Sequence, residues 1–356
     1  MERFDLAVVG GGPAGLATAI AAARLGLRAV VFEASSSVPI DKACGEGLMP
    51  AGVRALAELG VDALGLGRRF EGIRFLDGAV TAEGRFRQGP GVGVRRPRLH
   101  AALLEAAASA GVELRFGMRV QSIDTERSAV TVPSGRLEAR FVVGADGLLS
   151  RVRRWAGLER VSKRAANLLR YGVRRHFRLA PWSDFVEVSW SEVGEAYVTP
   201  VADDEVGVAF LWSGRKAVFD DLLEFFPELR ERLAGASAVS RALGAGPLRQ
   251  RTVDVVRGRT LLVGDAGGYV DAITGEGLAL AFEEALAAAT AMACDDLASY
   301  RAARRAIHRG PDTLTQLMLF VERRPALRRF VIRRLARSPA LFARLLGVHS
   351  GRATAR

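Results

Sequence analysis

Residues 5–33 read DLAVVGGGPAGLATAIAAARLGLRAVVFE, and this stretch decides the fold. Phe4–Val9 is an apolar run of the kind buried in a parallel sheet. Gly10, Gly12 and Gly15 follow as a GxGxxG turn, Pro13–Leu25 as an alanine-rich helix closed by Gly26, and Arg28–Phe32 as a second strand ended by Glu33. Gly10 permits the tight turn, Gly12 lets a pyrophosphate approach the backbone, and Gly15 lets helix and strand pack closely. The helix N-terminus offers unpaired N–H groups and the positive end of its dipole to phosphates. Glu33 is placed to accept hydrogen bonds from ribose hydroxyls. Strand, turn, helix and acid at these spacings predict a dinucleotide-binding unit.

The rest of the 356-residue chain fits a folded body around that unit. Hydrophobic residues make up 49% and charged residues 25%, which excludes a disordered chain. Two cysteines, Cys44 and Cys294, give no disulfide framework, and the four scattered histidines give no metal-ligand spacing, so no metal is expected. The net charge of +12 is not spread over the chain. Residues 301–356 hold fourteen arginines against Asp312 and Glu322, which accounts for the whole excess. A basic nucleic-acid-binding body is therefore excluded in favour of a neutral body with a basic appendage. Leu6–Ala23 is uncharged, but Gly10, Gly11, Gly12, Pro13 and Gly15 make it a poor lipid-facing helix, and Glu2 and Asp5 replace the basic start of a signal peptide. The expectation is a cytoplasmic protein, or one peripheral to the membrane.

Along the chain, a short helix is predicted over Ala51–Leu59, a hairpin over Phe70–Arg87, and a helix over Arg98–Ala110 stopped by Gly111. Short strands are expected from Val112 to Val143, several antiparallel strands over Val173–Trp212, two short helices around Pro227, a buried strand at Thr260–Val263, and a helix starting near Gly275. From Ala298 onward everything reads as helix, punctuated by Pro311, Pro325 and Pro339. The pattern predicts an α/β fold in which a parallel nucleotide-binding sheet is interrupted by an antiparallel one.

Two further stretches carry a family resemblance. VVGADGLLSRVRR (residues 142–154) holds Asp146, Gly147, Ser150 and Arg153, and GRTLLVGDAGGYVDAITGEGLALA (residues 258–281) holds Gly264 and Asp265. With the first turn, these three motifs in this order resemble the FAD-dependent oxidoreductase superfamily of aromatic-ring hydroxylases (the p-hydroxybenzoate hydroxylase type) and geranylgeranyl reductases. The resemblance implies a Rossmann-type FAD-binding domain, glutathione-reductase-like, formed by residues 1–69, 96–156 and 251–300. It also implies an inserted antiparallel substrate-binding sheet over 70–95 and 157–250, with residues 301–356 as a C-terminal helical tail. FAD is the implied cofactor. NAD(P)H is the implied transient electron donor, because no second GxGxxG unit exists. The implied FAD contacts are Gly10, Gly12, Pro13, Ala14, Gly15, Glu33, Ala34, Cys44, Gly45, Arg96, Val120, Asp146, Gly147, Gly264, Asp265, Gly275, Glu276, Gly277 and Leu278. Asp265 would hold a ribityl hydroxyl, and the helix opening at TGEGL would stabilise negative charge on the reduced flavin.

The loop DKACGEGLMP (residues 41–50) resembles the flavin-side loop of the geranylgeranyl reductase branch, as does TGEGL. Cys44 and Glu46 are the candidate catalytic residues, with a purely structural role as the alternative for each. The branch's Tyr-x-Trp-x-Phe-Pro signature is reduced here to EAYVTP, with Tyr197 and Thr199 at the aromatic positions. Two reactions follow from the resemblance. The first is NAD(P)H-dependent monooxygenation of a hydrophobic aromatic or polyketide-type substrate through a flavin C4a-hydroperoxide. The second is reduction of isoprenoid or lipid double bonds. The tail reads either as a helix pair packed on the FAD domain with a solvated arginine face, or as a contact with an anionic membrane surface. Leu327, Val331 and Leu335 fall on one helical face and Arg329, Arg333 and Arg337 on another, while Phe330 and Arg328 break the division.

Overall fold

The computed structural model describes residues 4–160, 169–214 and 216–347. Residues 161–168 of the expected sheet domain and 348–356 of the tail lie outside the described residues. Phe4–Val9 is the centre of a parallel sheet, flanked by Ala29–Phe32 on one side and Gly135–Gly144 on the other. Glu113–Arg115 and Thr260–Leu262 extend it outward, both in parallel. Each inner strand is covered on both faces, so its residues are apolar without alternation: Leu6, Val8, Val31, Phe141 and Leu261 are all buried. Helix Pro13–Arg24 packs against both Arg96–Ser109 and Gly277–Ala293. This is the Rossmann-type arrangement. It brings the carboxyl ends of Phe4–Val9, Gly135–Gly144 and Thr260–Leu262 to one edge, where the glycine turn, Asp146 and Asp265 follow directly. Ligands of open α/β sheets bind at that edge.

The second sheet is mostly antiparallel. Its order is Arg170–Arg178, Glu205–Ser213, Gly194–Ala202, Phe185–Trp190, then the hairpin Gly72–Asp77 and Val80–Arg85. Gly72–Asp77 joins Phe185–Trp190 in parallel. Here the residues alternate. Val206, Val208, Phe210 and Trp212 cluster with Phe219 and Leu229 from the short helices Phe219–Leu223 and Pro227–Arg232, and with Phe226 at the start of the second.

The tail departs from expectation in two ways. Pro311 does not interrupt a helix; it lies buried inside the 26-residue helix Leu297–Glu322. An interior proline costs about 3 kcal/mol, which the burial of Tyr300, Thr315 and Leu319 on the same helix offsets. The helices Pro325–Ala336 and Pro339–Gly347 do not pack on the parallel sheet. Ile332, Leu335 and Phe342 form a cluster with Phe70, Ile73, Ala82, Val186 and Val188 of the antiparallel region. Arg328 belongs to this buried face because Asp77 meets its Nε at 2.9 Å and Trp190 lies under its guanidinium. Phe330 sits on the exposed face with the other arginines.

Phe342→Ala is therefore expected to cost about 3 kcal/mol, read as a lower denaturant midpoint at unchanged slope. Phe330→Ala should shift stability by less than about 0.5 kcal/mol. Equal effects of the two would contradict this packing.

Candidate active site

The glycine turn is built by close approach. Gly10 has φ +109°, and an added Cβ there would lie 2.5 Å from the Ala145 carbonyl oxygen. A Cβ at Gly15 would lie 1.9 Å from the Gly10 carbonyl oxygen. At Gly12 a Cβ would meet nothing within 4 Å, so the space before the helix Pro13–Arg24 is open. That helix has no side-chain cap on its first N–H groups. His100 braces the turn from the helix Arg96–Ser109. The Ile40 N–H donates to its Nδ1 at 3.2 Å, and its Nε2–H donates to the Gly11 carbonyl at 2.8 Å. Burial, the largest influence, holds this imidazole below its ordinary pKa and hence neutral. The scattered spacing of the histidines gives no hint of this role.

Glu33 ends its strand as expected, with its carboxylate already accepting the Gly11 N–H and the Ser35 N–H, each at 2.8 Å. It therefore fixes the turn. Asp146 turns its carboxylate to the next helix, accepting from Ser150 Oγ and from the N–H groups of Arg151 and Val152. Arg153 is buried and ties the second motif to the third, donating to the carbonyls of Asp265, Ala266 and Leu148.

These elements converge on one cavity of about 990 Å³. Of the residues expected at the cofactor, Gly12, Pro13, Ala14, Cys44, Gly45, Glu46, Arg96, Asp146, Gly147, Asp265, Gly275, Glu276, Gly277 and Leu278 line it. Gly10, Gly15, Glu33, Ala34, Val120 and Gly264 do not; Val120 packs in the core of the parallel sheet. FAD fits the residues that do. Arg96 has a buried Nε without a hydrogen-bond partner, and it lines the same cavity as the uncapped start of Pro13–Arg24. The helix Gly277–Ala293 also opens on this cavity without a side-chain cap. Two helix N-termini and an unsatisfied guanidinium N–H suit a pyrophosphate and a flavin that gains negative charge. Asp265 lies at the same wall, and burial raises its pKa.

The loop 41–47 is held under strain. Glu46 is buried with φ +60°, a region non-glycine residues rarely occupy. Its carboxylate is fully engaged: one oxygen accepts the Arg96 N–H at 2.8 Å and sits 3.4 Å from Arg174, and the other meets His176 Nε2. Arg174 reaches Asp41 as well. Glu46 therefore positions the loop, and its oxygens are not free to act on a substrate. Cys44 lines the cavity, its sulfur accepting the Glu46 N–H at 3.3 Å.

The reduced signature EAYVTP has a structural reason. The Thr199 hydroxyl donates to the Gly45 carbonyl and the Tyr197 hydroxyl to the Ile273 carbonyl, each at 2.9 Å. One strand thus fastens both glycine loops. Two buried charge clusters support them. Arg170 is held by Glu195 and Asp271 at 2.9 Å each and by Glu322 at 3.6 Å. Burial foremost pushes the Glu195 pKa up to about 7. Beneath Gly264, whose N–H donates to Glu284 at 2.9 Å, lie His308 and Arg304 from the long C-terminal helix. Burial opposes charge on His308, but its bonds to Asp312 and Glu284 outweigh that and push its pKa up to about 9.

Two outcomes follow. Gly12→Val should leave the fold intact, since its Cβ enters open space, yet abolish the flavin absorbance of the purified protein; a yellow variant would contradict the assigned phosphate position. Separately, His308 has a folded pKa above its unfolded value of about 6.5. Its stabilisation is complete below that value and is lost as pH rises toward 9. The thermal midpoint should fall across that window, and His308→Gln should flatten the fall. An identical slope in the variant would remove His308 from this role.

Comparison with known proteins gives the family. The FAD binding domain family matches residues 3–193. A digeranylgeranylglycerophospholipid reductase of Thermoplasma acidophilum is 25% identical over 81% of this chain and 78% of its own. A menaquinone reductase of Mycolicibacterium smegmatis is 30% identical over 85% of this chain and 79% of its own. Among solved structures, the flavin-dependent halogenase CmlS superposes with a TM-score of 0.76 at 23% identity over 87% of this chain. This chain spans 63% of that halogenase, and at such identity the likeness shows the fold alone. With Gly12, Arg96 and Asp265 all lining one cavity, the chain belongs to the FAD binding domain family and is an FAD-dependent oxidoreductase.

Proposed function

We propose that this oxidoreductase saturates an isolated carbon–carbon double bond in a long isoprenoid chain. One observation carries the reading: the cavity at the FAD loops continues without a break into an apolar chamber. Phe75, Trp190, Leu314, Met318, Val321, Leu327, Val331, Leu335, Phe342 and Leu346 wall that chamber. Several polar side chains around it are engaged by protein partners. Tyr197 and Thr199 bond to loop carbonyls, Arg328 to Asp77 and Glu322 to Arg170. Such a wall suits a hydrocarbon chain. Hydroxylation of a phenol, the reaction the motifs suggested first, calls for a base at the phenol oxygen; Glu322, paired with Arg170 at 3.6 Å but with its second oxygen unpartnered, is a carboxylate at the wall that this second reading would use. The names of the two sequence relatives, a digeranylgeranylglycerophospholipid reductase and a menaquinone reductase, support a prenyl substrate.

Bound FAD, once reduced by NAD(P)H, supplies hydride chemistry. The chain's residues do the rest. The apolar wall excludes water, the uncapped helix at Gly277 favours negative charge nearby, and the two fastened loops fix the cofactor edge. The second carbon of the double bond needs a proton. Cys44 is the proposed source: its thiol lines the cavity, whereas burial holds the nearby Tyr269 phenol well above its ordinary pKa and makes it a weak acid.

In an anaerobic single turnover, reduced protein mixed with an unsaturated polyprenyl alcohol should yield a product with two hydrogens added at one chain double bond. Cys44→Ser should slow that step roughly a hundredfold with flavin content unchanged. Absence of anaerobic turnover, together with incorporation of labelled oxygen into a phenol, would establish the monooxygenase reading instead. An unchanged rate in Cys44→Ser would make the thiol structural.

A further inference from the structure

The C-terminal helices have a second face. Toward the interior, Leu327, Val331 and Leu335 wall the chamber. Toward solvent, four of the ten large exposed apolar side chains among the described residues, Leu317, Phe320, Phe330 and Leu341, fall within residues 317–341. Their clustering is not the scatter normal for a surface. Leu317 and Phe320 are 55% and 50% exposed and also line the cavity, which puts an opening of the chamber between them and solvent. Phe330 is 66% exposed, and Arg333, Arg334 and Arg337 follow it at helical spacings of three, four and seven on the same exposed face. Arg324 stacks on Phe320, its guanidinium 3.7 Å from the ring centroid. The sole acid within 317–347 is Glu322, which is turned inward to Arg170.

We propose that this face docks the protein on an anionic lipid bilayer with the chamber mouth against the membrane. Single apolar side chains set among arginines are the arrangement that inserts at an interface: the rings enter the acyl boundary while the guanidinium groups stay at the phosphates. Among the described residues no helix is long and apolar enough to cross a membrane, so the contact is peripheral. A continuous apolar patch would instead mark a protein partner; here the apolar residues are separated by cations, and the complementary surface is one of anionic headgroups. The geometry also gives the opening a purpose. It rests on the isoprenoid reading in this respect, since a polyprenyl chain would then pass from bilayer to chamber without crossing water.

The test is cosedimentation of the full-length flavoprotein with vesicles of phosphatidylcholine alone or mixed with phosphatidylglycerol. Binding should be confined to the mixed vesicles at low salt and largely reversed at high salt. Arg333→Glu with Arg334→Glu should weaken it by at least about tenfold, and Phe330→Ser should weaken it in the same direction. Flavin content serves as the fold control, since none of these side chains lines the cavity. Equal partition to the two vesicle types, or wild-type binding by the charge-reversed variant with its flavin intact, would overturn the proposal. The readout needs no turnover. Vesicle binding without anaerobic reduction would leave the docking face standing and remove the isoprenoid reaction; the converse would do the opposite.

Discussion

Two hydroxyl groups on one strand hold the site together. Gly194–Ala202 belongs to the antiparallel sheet, yet its Thr199 bonds the Gly45 carbonyl and its Tyr197 the Ile273 carbonyl. Those carbonyls sit in the two loops that line the cofactor side of the cavity. Without such ties, loops this rich in glycine would have wide conformational freedom. The hydroxyls satisfy carbonyls in a buried setting where an unmet acceptor would cost about 1–3 kcal/mol. They thereby join the nucleotide-binding half to the sheet that walls the chamber.

Buried charge does the same work at longer range. Glu46 accepts strain in its own backbone and is held by Arg96, Arg174 and His176, which come from a helix of one half and a strand of the other. Arg170 gathers carboxylates from a strand, from the loop before TGEGL and from the end of the long helix. Glu284 joins the Gly264 amide to His308 and Arg304. Each cluster links elements distant in sequence. Losing one partner would strand the others in a low-dielectric interior, which is far more costly than the pair is stabilising. The site is thus tied together by buried charge where the cofactor would sit and is walled mainly by apolar side chains where the substrate chain would lie.

Much of this was legible in the sequence, and the reason differs by element. The glycine turn, the two later motifs and the strand-helix alternation are local patterns, so their positions were plain. The hairpin near residues 70–87 and the helix at Arg98–Ala110 followed from alternation and glycine stops. Long-range pairings were not legible. Nothing in the spacing of His100, His176 or His308 marks them as braces, because the groups they brace, the Gly11 carbonyl and the carboxylates of Glu46 and Glu284, lie 24 to 130 positions away. Glu46 looked chemical because it sits beside the cofactor loop; only the structure shows where its oxygens point. Tyr197 and Thr199 read as a damaged signature until their hydroxyls were seen to reach the loops. The tail's helical face was visible, but not which sheet it would meet, and Arg328 looked out of place until Asp77 lay opposite it.

The central claim is that the flavin site and the apolar chamber are one space. It is tested most directly by titrating the oxidised flavoprotein with a polyprenyl alcohol in mild detergent and following the flavin difference spectrum. A saturable spectral change is expected in the wild type. Val331→Trp, which fills the chamber from its helical wall, should keep its flavin and lose the change. A flat wild-type titration, or an undiminished response in Val331→Trp, would contradict the account.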